Sequence, residues 1–179
     1  MLTDQHFSSL NEALNGLEIP ARIRDTLALI EVPYISFKGT EEKGQLVIHT
    51  ELAEEVFSLF QELYSHQFPI HRVVPVAAYG WDDLASMEDN NTSAFNYRQI
   101  IGTDLLSNHS LGRAIDINPL QNPYYALDGR VYPARAVHDL AKPGTLHKDS
   151  VAVSLFKEKG WVWLGEREEH KDYQHFEKI

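Results

Sequence analysis

Two separate segments carry the residues whose types and spacing could perform chemistry. His109 and Asp116 lie seven positions apart within residues 107–118. His175 lies near the C-terminus, three positions after Asp172. Two imidazoles and one carboxylate form a ligand set that holds a catalytic zinc ion and leaves a fourth position for water. The pattern therefore predicts a metal site with a further acid, Asp172, that could take a proton from that water.

The chain has to reverse between His109 and Asp116 if both are to share one ion. On a single straight strand the two residues would lie about 23 Å apart. Gly112 lies nearly midway and supplies a backbone permissive enough for a turn. Residues 114–117 then predict a returning strand, on which Asp116 faces the site and the two isoleucines face the core.

Composition limits the classes of protein to which the chain can belong. The 179 residues include no cysteine, so disulfides, thiolate metal sites and thiol catalysis are excluded. Acidic residues outnumber basic residues by 26 to 16. We therefore expect no nucleic-acid partner. The sequence does not determine the oligomeric state, for which we favour a monomer. No segment reaches the length of a membrane span and the first residues show no signal-peptide pattern, so we expect neither feature within this sequence.

The N-terminal half predicts helices around one hairpin. Apolar residues recur at helical spacing from Phe7 to Ile30, which predicts a helical segment over residues 1–33 packed on the rest of the chain. Residues 34–37 and 45–49 are rich in β-branched and aromatic side chains and predict a hairpin. Thr50 can then cap a long amphipathic helix that ends before Pro69.

The remaining pattern mixes strands and helices without regular alternation. Strands are predicted at residues 70–76, 161–164 and 173–176, and a helix from position 149 or 150 to Lys159. The polar segment 81–92 is longer than an ordinary connection, so we expect a loop that lines a site. Together these elements predict one α+β domain, residues 1–179, with a mostly antiparallel sheet and flanking helices.

Several ordered motifs in residues 91–177 resemble one known family. They are residues 91–98 (NTSAFNYR), 107–119 (SNHSLGRAIDINP), 122–124 (NPY) and 172–177 (DYQHFE). This pattern resembles the VanY-type D-alanyl-D-alanine carboxypeptidase and L-alanyl-D-glutamate endopeptidase family of zinc peptidases. The resemblance implies a fold like that of D-alanyl-D-alanine peptidases and hedgehog proteins. It also implies a peptidoglycan peptide as substrate, and so action on the cell wall.

The resemblance also implies a role for each candidate side chain. The implied zinc ligands are His109, Asp116 and His175. Asp172 would be the catalytic base, and Arg98 would polarise the scissile carbonyl and stabilise its oxyanion. Ser107 would contact the substrate.

The substrate bond and the activity have alternatives. Carboxypeptidases of this kind typically place glutamate at the base position, whereas endopeptidases that cleave between L-alanine and D-glutamate typically use aspartate. Asp172 therefore favours the endopeptidase. The Trp-Gly-Gly-x-Trp element of such endopeptidases appears here only as residues 163–167, WLGER. The alternatives are a D-alanyl-D-alanine carboxypeptidase or dipeptidase, and a non-catalytic hedgehog-like module that binds zinc.

Several residues compete with the assigned ones. His170 is an alternative to His175, but it lies in a charged run that predicts a solvated loop. Glu177 is a second candidate base. Arg98 could instead pair with a surface carboxylate, and the Ser107 hydroxyl could bond only to backbone. His138 and His147 receive no role.

Overall fold

The computed structural model describes residues 6–100 and 104–179. The helices are α1 (Leu10–Ala13), α2 (Ala21–Arg24), α3 (Ala53–Ser65), α4 (Asp83–Glu88) and α5 (Val151–Glu158). The strands are β1 (Leu27–Ile35), β2 (Glu41–His49), β3 (Arg72–Val73), β4 (Asn91–Thr92), β5 (Ala114–Asp116), β6 (Tyr124–Tyr125), β7 (Val131–Tyr132), β8 (Val162–Trp163) and β9 (His175–Glu177). Short 3-10 helices cover Thr50–Leu52, Val76–Tyr79, Asn108–Leu111 and Leu164–Glu166.

The described strands form several small sheets, most of them antiparallel. β1 pairs with β2, β6 pairs with β7, and β9 lies between β5 and β8, all in antiparallel register. β3 and β4 form the parallel pair. The predicted α+β class, the mostly antiparallel pairing and the flanking helices are therefore confirmed, but the described strands form several small sheets where one sheet was predicted. None of the helices described is long and apolar enough to cross a membrane.

A buried core lies behind the sheet that carries the two C-terminal motifs. Ile115 and Ile117 are fully buried in this core, as the alternation along the strand predicts. Phe176 on β9 stacks on Phe156 of α5, with ring centroids 4.2 Å apart. The apolar face of α3 closes the same core. Residues that alternate with these apolar side chains along β5 and β9 are thereby turned toward the opposite face.

The predicted helical segment over residues 1–33 is wrong in its last part. Helices α1 and α2 have four residues each, and Leu27 and Ile30 belong to β1. The apolar spacing from Leu27 onward fits either structure, and pairing of β1 with β2 along nine residues decides for the strand. Residues 1–5 lie outside the part of the chain that the structure describes.

The predicted loop over residues 81–92 contains a helix. The Asp82 carboxylate accepts a hydrogen bond from the Ala85 backbone N–H at 3.0 Å and so caps the N-terminus of α4. The run of polar residues concealed this short helix, because its apolar side is narrow. Its position beside the cavity described below agrees with the expectation that the segment lines a site.

Gly112 makes the turn that brings the two halves of the central motif together. It ends the 3-10 helix Asn108–Leu111 with φ +63°. The His49 N–H donates to its carbonyl at 2.9 Å, so the turn packs directly on the end of β2. A Cβ atom at position 112 would lie 2.6 Å from the His49 nitrogen. Both the backbone angle and the close contact therefore require glycine.

We predict that Gly112→Ala destabilises the protein by about 2 to 4 kcal/mol, because it combines left-handed strain with a backbone clash. Gly80 is a matched control: it also ends a four-residue 3-10 helix, at φ +62°, and a Cβ there meets nothing within 4 Å. Gly80→Ala should cost only about 1 kcal/mol, because it carries the left-handed strain without the clash. Urea denaturation of both variants measures the difference, and equal losses would contradict the clash.

Candidate metal centre and active-site cavity

Three separate elements bring the candidate ligands to one point. His109 lies on the 3-10 helix Asn108–Leu111, Asp116 on β5 and His175 on β9. The register of the sheet places Asp116 directly opposite His175. The turn at Gly112 returns His109 to the same face. The predicted convergence of these side chains is therefore present in the fold.

The distances among the ligand atoms are those of a coordination site. His109 Nε2 lies 3.2 Å from Asp116 Oδ2 and 3.1 Å from His175 Nδ1. His175 Nδ1 lies 3.0 Å from Asp116 Oδ1. Tetrahedral ligands about 2.0 Å from a zinc ion are separated by about 3.3 Å. All three side chains are buried, and this group could hold a metal ion.

Hydrogen bonds on the outer side of each ring determine which ring nitrogens carry lone pairs. His109 Nδ1 donates to the Ala94 carbonyl, and His175 Nε2 donates to the Glu177 carboxylate at 3.2 Å. In the neutral rings, the inward nitrogens are therefore acceptors. Two lone pairs and a carboxylate then face one another, which is unfavourable unless a cation lies between them. A nitrogen and oxygen donor set without thiolate fits zinc.

A proton is the competing cation at this point. Burial opposes charge on His175, but its hydrogen bonds to Asp116 and Glu177 outweigh burial and raise its pKa to about 10. Burial also opposes ionisation of Asp116, yet the neighbouring His109 and His175 hold the pKa of that carboxyl far below its ordinary value. Metal binding has to displace the proton, so the affinity for a metal should fall with decreasing pH.

Glu177 supports His175 from outside the metal-facing side. Its Oε2 accepts from Asn108 Nδ2 at 2.8 Å as well as from His175 Nε2, and Arg167 lies 3.5 Å from its other oxygen. The hydrogen bond with His175 is the main cause of a lowered pKa of Glu177, so the carboxylate stays ionised. Glu177, considered above as a second base, is thus placed to orient a ligand.

A cavity of about 500 Å³ opens over the three ligands. Its wall includes the three further side chains to which the family resemblance assigns roles, namely Arg98, Ser107 and Asp172. The structure therefore brings every predicted site residue to one cavity. A cleft of this volume with a few converging polar groups is typical of a small-molecule or peptide site.

Asp172 has an electrostatic environment suited to proton transfer. The residue is half-buried, and its Oδ1 is buried without a hydrogen-bond partner in the described part of the chain. Burial raises the pKa of Asp172 to about 7, with His175 acting in the opposite direction and the charge of Asp116 reinforcing the rise. A proton acceptor works best when its pKa lies near the working pH.

Arg98 is held by a residue that the sequence pattern did not single out. Its Nε lies 3.0 Å from Asp83 Oδ2, although the N–H is not directed at that oxygen. Asn96 Nδ2 donates to the other oxygen of Asp83 at 3.1 Å. Asp83 also lines the cavity, so this ion pair belongs to the site and not to the outer surface. Only its place in segment 81–92, which was expected to line a site, could have indicated Asp83.

Ser107 and His170 lie on the same cavity wall. The Ser107 hydroxyl accepts a hydrogen bond from the His109 N–H at 3.3 Å, which caps the 3-10 helix carrying that ligand. Within the described ranges, the group of candidate ligands contains His175 and not His170. The ring of His138 stacks on Tyr173 at 3.7 Å, which is a packing contact.

Comparison with known proteins agrees with this geometry. Residues 101–178 match the family model described as D-alanyl-D-alanine carboxypeptidase. These residues are a domain of that family of metallopeptidases, and the family suggested by the sequence motifs is thereby confirmed for this part of the chain. No curated protein and no solved structure matches the chain. The family implies a peptide as substrate.

We predict that Glu177→Ala lowers the zinc affinity by about 10- to 100-fold, because His175 loses the acceptor that fixes its tautomer. Glu177→Gln keeps an acceptor but loses the charge, so its affinity should lie between those of the wild type and the alanine variant. Glu168 is a nearby exposed acid, and Glu168→Ala is the control. Competition with a chromophoric chelator measures the zinc affinity of the wild type and the three variants. A wild-type affinity for Glu177→Ala would contradict the supporting role.

Proposed function

We propose that this chain is a zinc-dependent peptidase that hydrolyses the stem peptides of bacterial peptidoglycan between L-alanine and D-glutamate. The observation that carries the proposal is the buried group of His109, Asp116 and His175 beside Asp172 in one cavity. The match of residues 101–178 to the carboxypeptidase family supports the reaction class. We also propose that residues 1–179 act as one domain with a hedgehog-like arrangement.

The proposed ligands are the two inward imidazole nitrogens and the Asp116 carboxylate. When bound there, zinc supplies Lewis-acid polarisation of the scissile carbonyl and lowers the pKa of water. The three ligand side chains are buried, and all three line the cavity. Outer hydrogen bonds from both rings hold the ligand atoms in place before the metal arrives.

Asp172 is proposed to move the proton. Its carboxylate accepts a proton from the attacking water and later donates it to the nitrogen of the leaving amine. The buried oxygen without a partner favours the protonated acid, and the charge of Arg98 favours the carboxylate. Asp172 can therefore hold the proton between the two steps and then release it.

Arg98 is proposed to stabilise the negative charge that develops on the carbonyl oxygen. A guanidinium is always charged and presents several donors in a fixed plane. Asp83 and Asn96 restrict the position of this guanidinium at the cavity wall. Ser107 is proposed to contact the substrate from the neighbouring wall, in addition to its hydrogen bond from the His109 N–H.

The endopeptidase is preferred over the carboxypeptidase because aspartate occupies the base position. The second candidate is a D-alanyl-D-alanine carboxypeptidase, which the description of the matching family favours. A binding module without turnover is a weaker candidate, because Asp172 and Arg98 line the same cavity as the ligands.

Digestion of purified muropeptides tests the proposal. We expect the zinc-loaded protein to release the peptide that begins with D-glutamate and to leave L-alanine on the muramoyl group, as identified by mass spectrometry. A chelator should abolish the reaction and added zinc should restore it. Loss of only the terminal D-alanine would establish the carboxypeptidase instead. No hydrolysis by the zinc-loaded protein would contradict both peptidase functions.

We predict that Asp172→Asn reduces kcat/KM by about 10²- to 10⁴-fold while zinc still binds in a 1:1 ratio.

The pKa of Asp172 is about 7 in the folded chain, above its unfolded value of about 3.9, so ionisation of this acid destabilises the fold as pH rises from about 4 to about 7. In metal-free protein, the Asp172→Asn substitution should therefore increase the free energy of unfolding more at about pH 8 than at about pH 4. Urea denaturation at both pH values measures the free energy of unfolding of the variant and of the wild type. A difference between the two proteins that does not change with pH would contradict a raised pKa of Asp172.

A further inference from the structure

A second cavity adjoins the first one. Its volume is about 440 Å³, and its lining residues are Leu84, Glu88, Arg130, Val131, Tyr132 and Ala134. Tyr132 also lines the cavity over the metal ligands, so the two spaces share one wall. The lining of this second cavity is mostly apolar, and it includes one acidic and one basic side chain. It lies outside the group of residues to which the reaction has been assigned.

Helix α4 runs along both spaces. Asp83 and Met87, four residues apart, face the first cavity, whereas Leu84 and Glu88 face the second. Leu84 is 45% exposed and contributes apolar surface to the second cavity. The two cavities are therefore neighbouring parts of one surface, divided by Tyr132.

The chemistry of the proposed reaction decides which end of a substrate would reach this divide. Asp172 has to return its proton to the leaving amine, so the leaving side of the peptide lies next to Asp172. Tyr124 pairs with Asp172 through a β-bridge, and its ring stacks on Tyr132 with centroids 6.1 Å apart. These two tyrosines therefore form a continuous wall from Asp172 to the second cavity.

We propose that the second cavity is a subsite for the residues that follow D-glutamate in the leaving peptide. This inference rests on the proposed endopeptidase function. The leaving fragment of a carboxypeptidase is one D-alanine, which ends before Tyr132, whereas the fragment of an endopeptidase continues. The apolar lining residues Leu84, Val131 and Ala134 suit the aliphatic carbons of the stem peptide. Glu88 suits the amino group of the diamino acid that follows D-glutamate in stem peptides.

The test compares two substrates of different leaving length. The short one is N-acetylmuramoyl-L-alanyl-D-glutamate, and the long one carries a diamino acid on the D-glutamate γ-carboxyl. We expect kcat/KM for the long substrate to be higher by about ten-fold or more in the wild type. Ala134 is exposed, so Ala134→Trp should fill the subsite without disturbing the fold. This variant should reduce kcat/KM for the long substrate to the value for the short substrate, and it should leave kcat/KM for the short substrate unchanged.

Two further variants make the result specific. Leu84→Asn removes apolar surface from the subsite and should also lower kcat/KM only for the long substrate. Ala141→Trp, at an exposed alanine outside both cavities, should change neither substrate. Equal kcat/KM for the two substrates, or an equal loss on both in Ala134→Trp, would overturn the subsite while the endopeptidase function stands. Failure of the wild type to cleave either substrate would instead overturn the proposed function.

Discussion

The whole site depends on one electrostatic constraint: three hydrogen-bond acceptors are held about 3 Å apart in a buried position. Such an arrangement is unfavourable without a cation, because burial removes the water that would otherwise screen the lone pairs and the carboxylate. A proton on His175 or a metal ion can satisfy it. Because the fold fixes His109, Asp116 and His175 in these positions, the site requires a cation.

The surrounding elements can be understood as the means of maintaining that constraint. Pairing of β5 with β9 fixes two ligands opposite each other, and the neighbouring apolar pair, Ile115 and Phe176, secures the sheet to the core. Gly112 brings the third ligand back by a turn that no other residue could make in the same space. Glu177 and the Ala94 carbonyl orient the rings from outside. Backbone sterics and hydrogen bonding thus together fix the positions of the three ligands.

The site could be predicted further than the fold. The ligand types, the reversal at Gly112 and the alternation around Asp116 follow from local rules of spacing, and the structure contains all three features. Segment 27–33 was predicted wrongly as helix, because its apolar spacing also suits a strand and only pairing with β2 decides. The partnership of Arg98 with Asp83 joins residues 15 positions apart through tertiary packing, so no local pattern announces it.

The charges around the cavity suggest how one site can bind a metal and also move a proton. Asp116 is kept ionised by the imidazoles, while burial leaves Asp172 poised near neutral pH. Two carboxyl groups in one cavity thus acquire different duties from their surroundings.

The most direct measurement is X-ray absorption at the zinc edge, combined with the zinc content of dialysed protein. We expect one zinc ion per chain with two imidazole ligands, retained in His170→Ala and lost in His109→Ala. A zinc content that is unchanged by His109→Ala, or a spectrum without imidazole ligands, would contradict it.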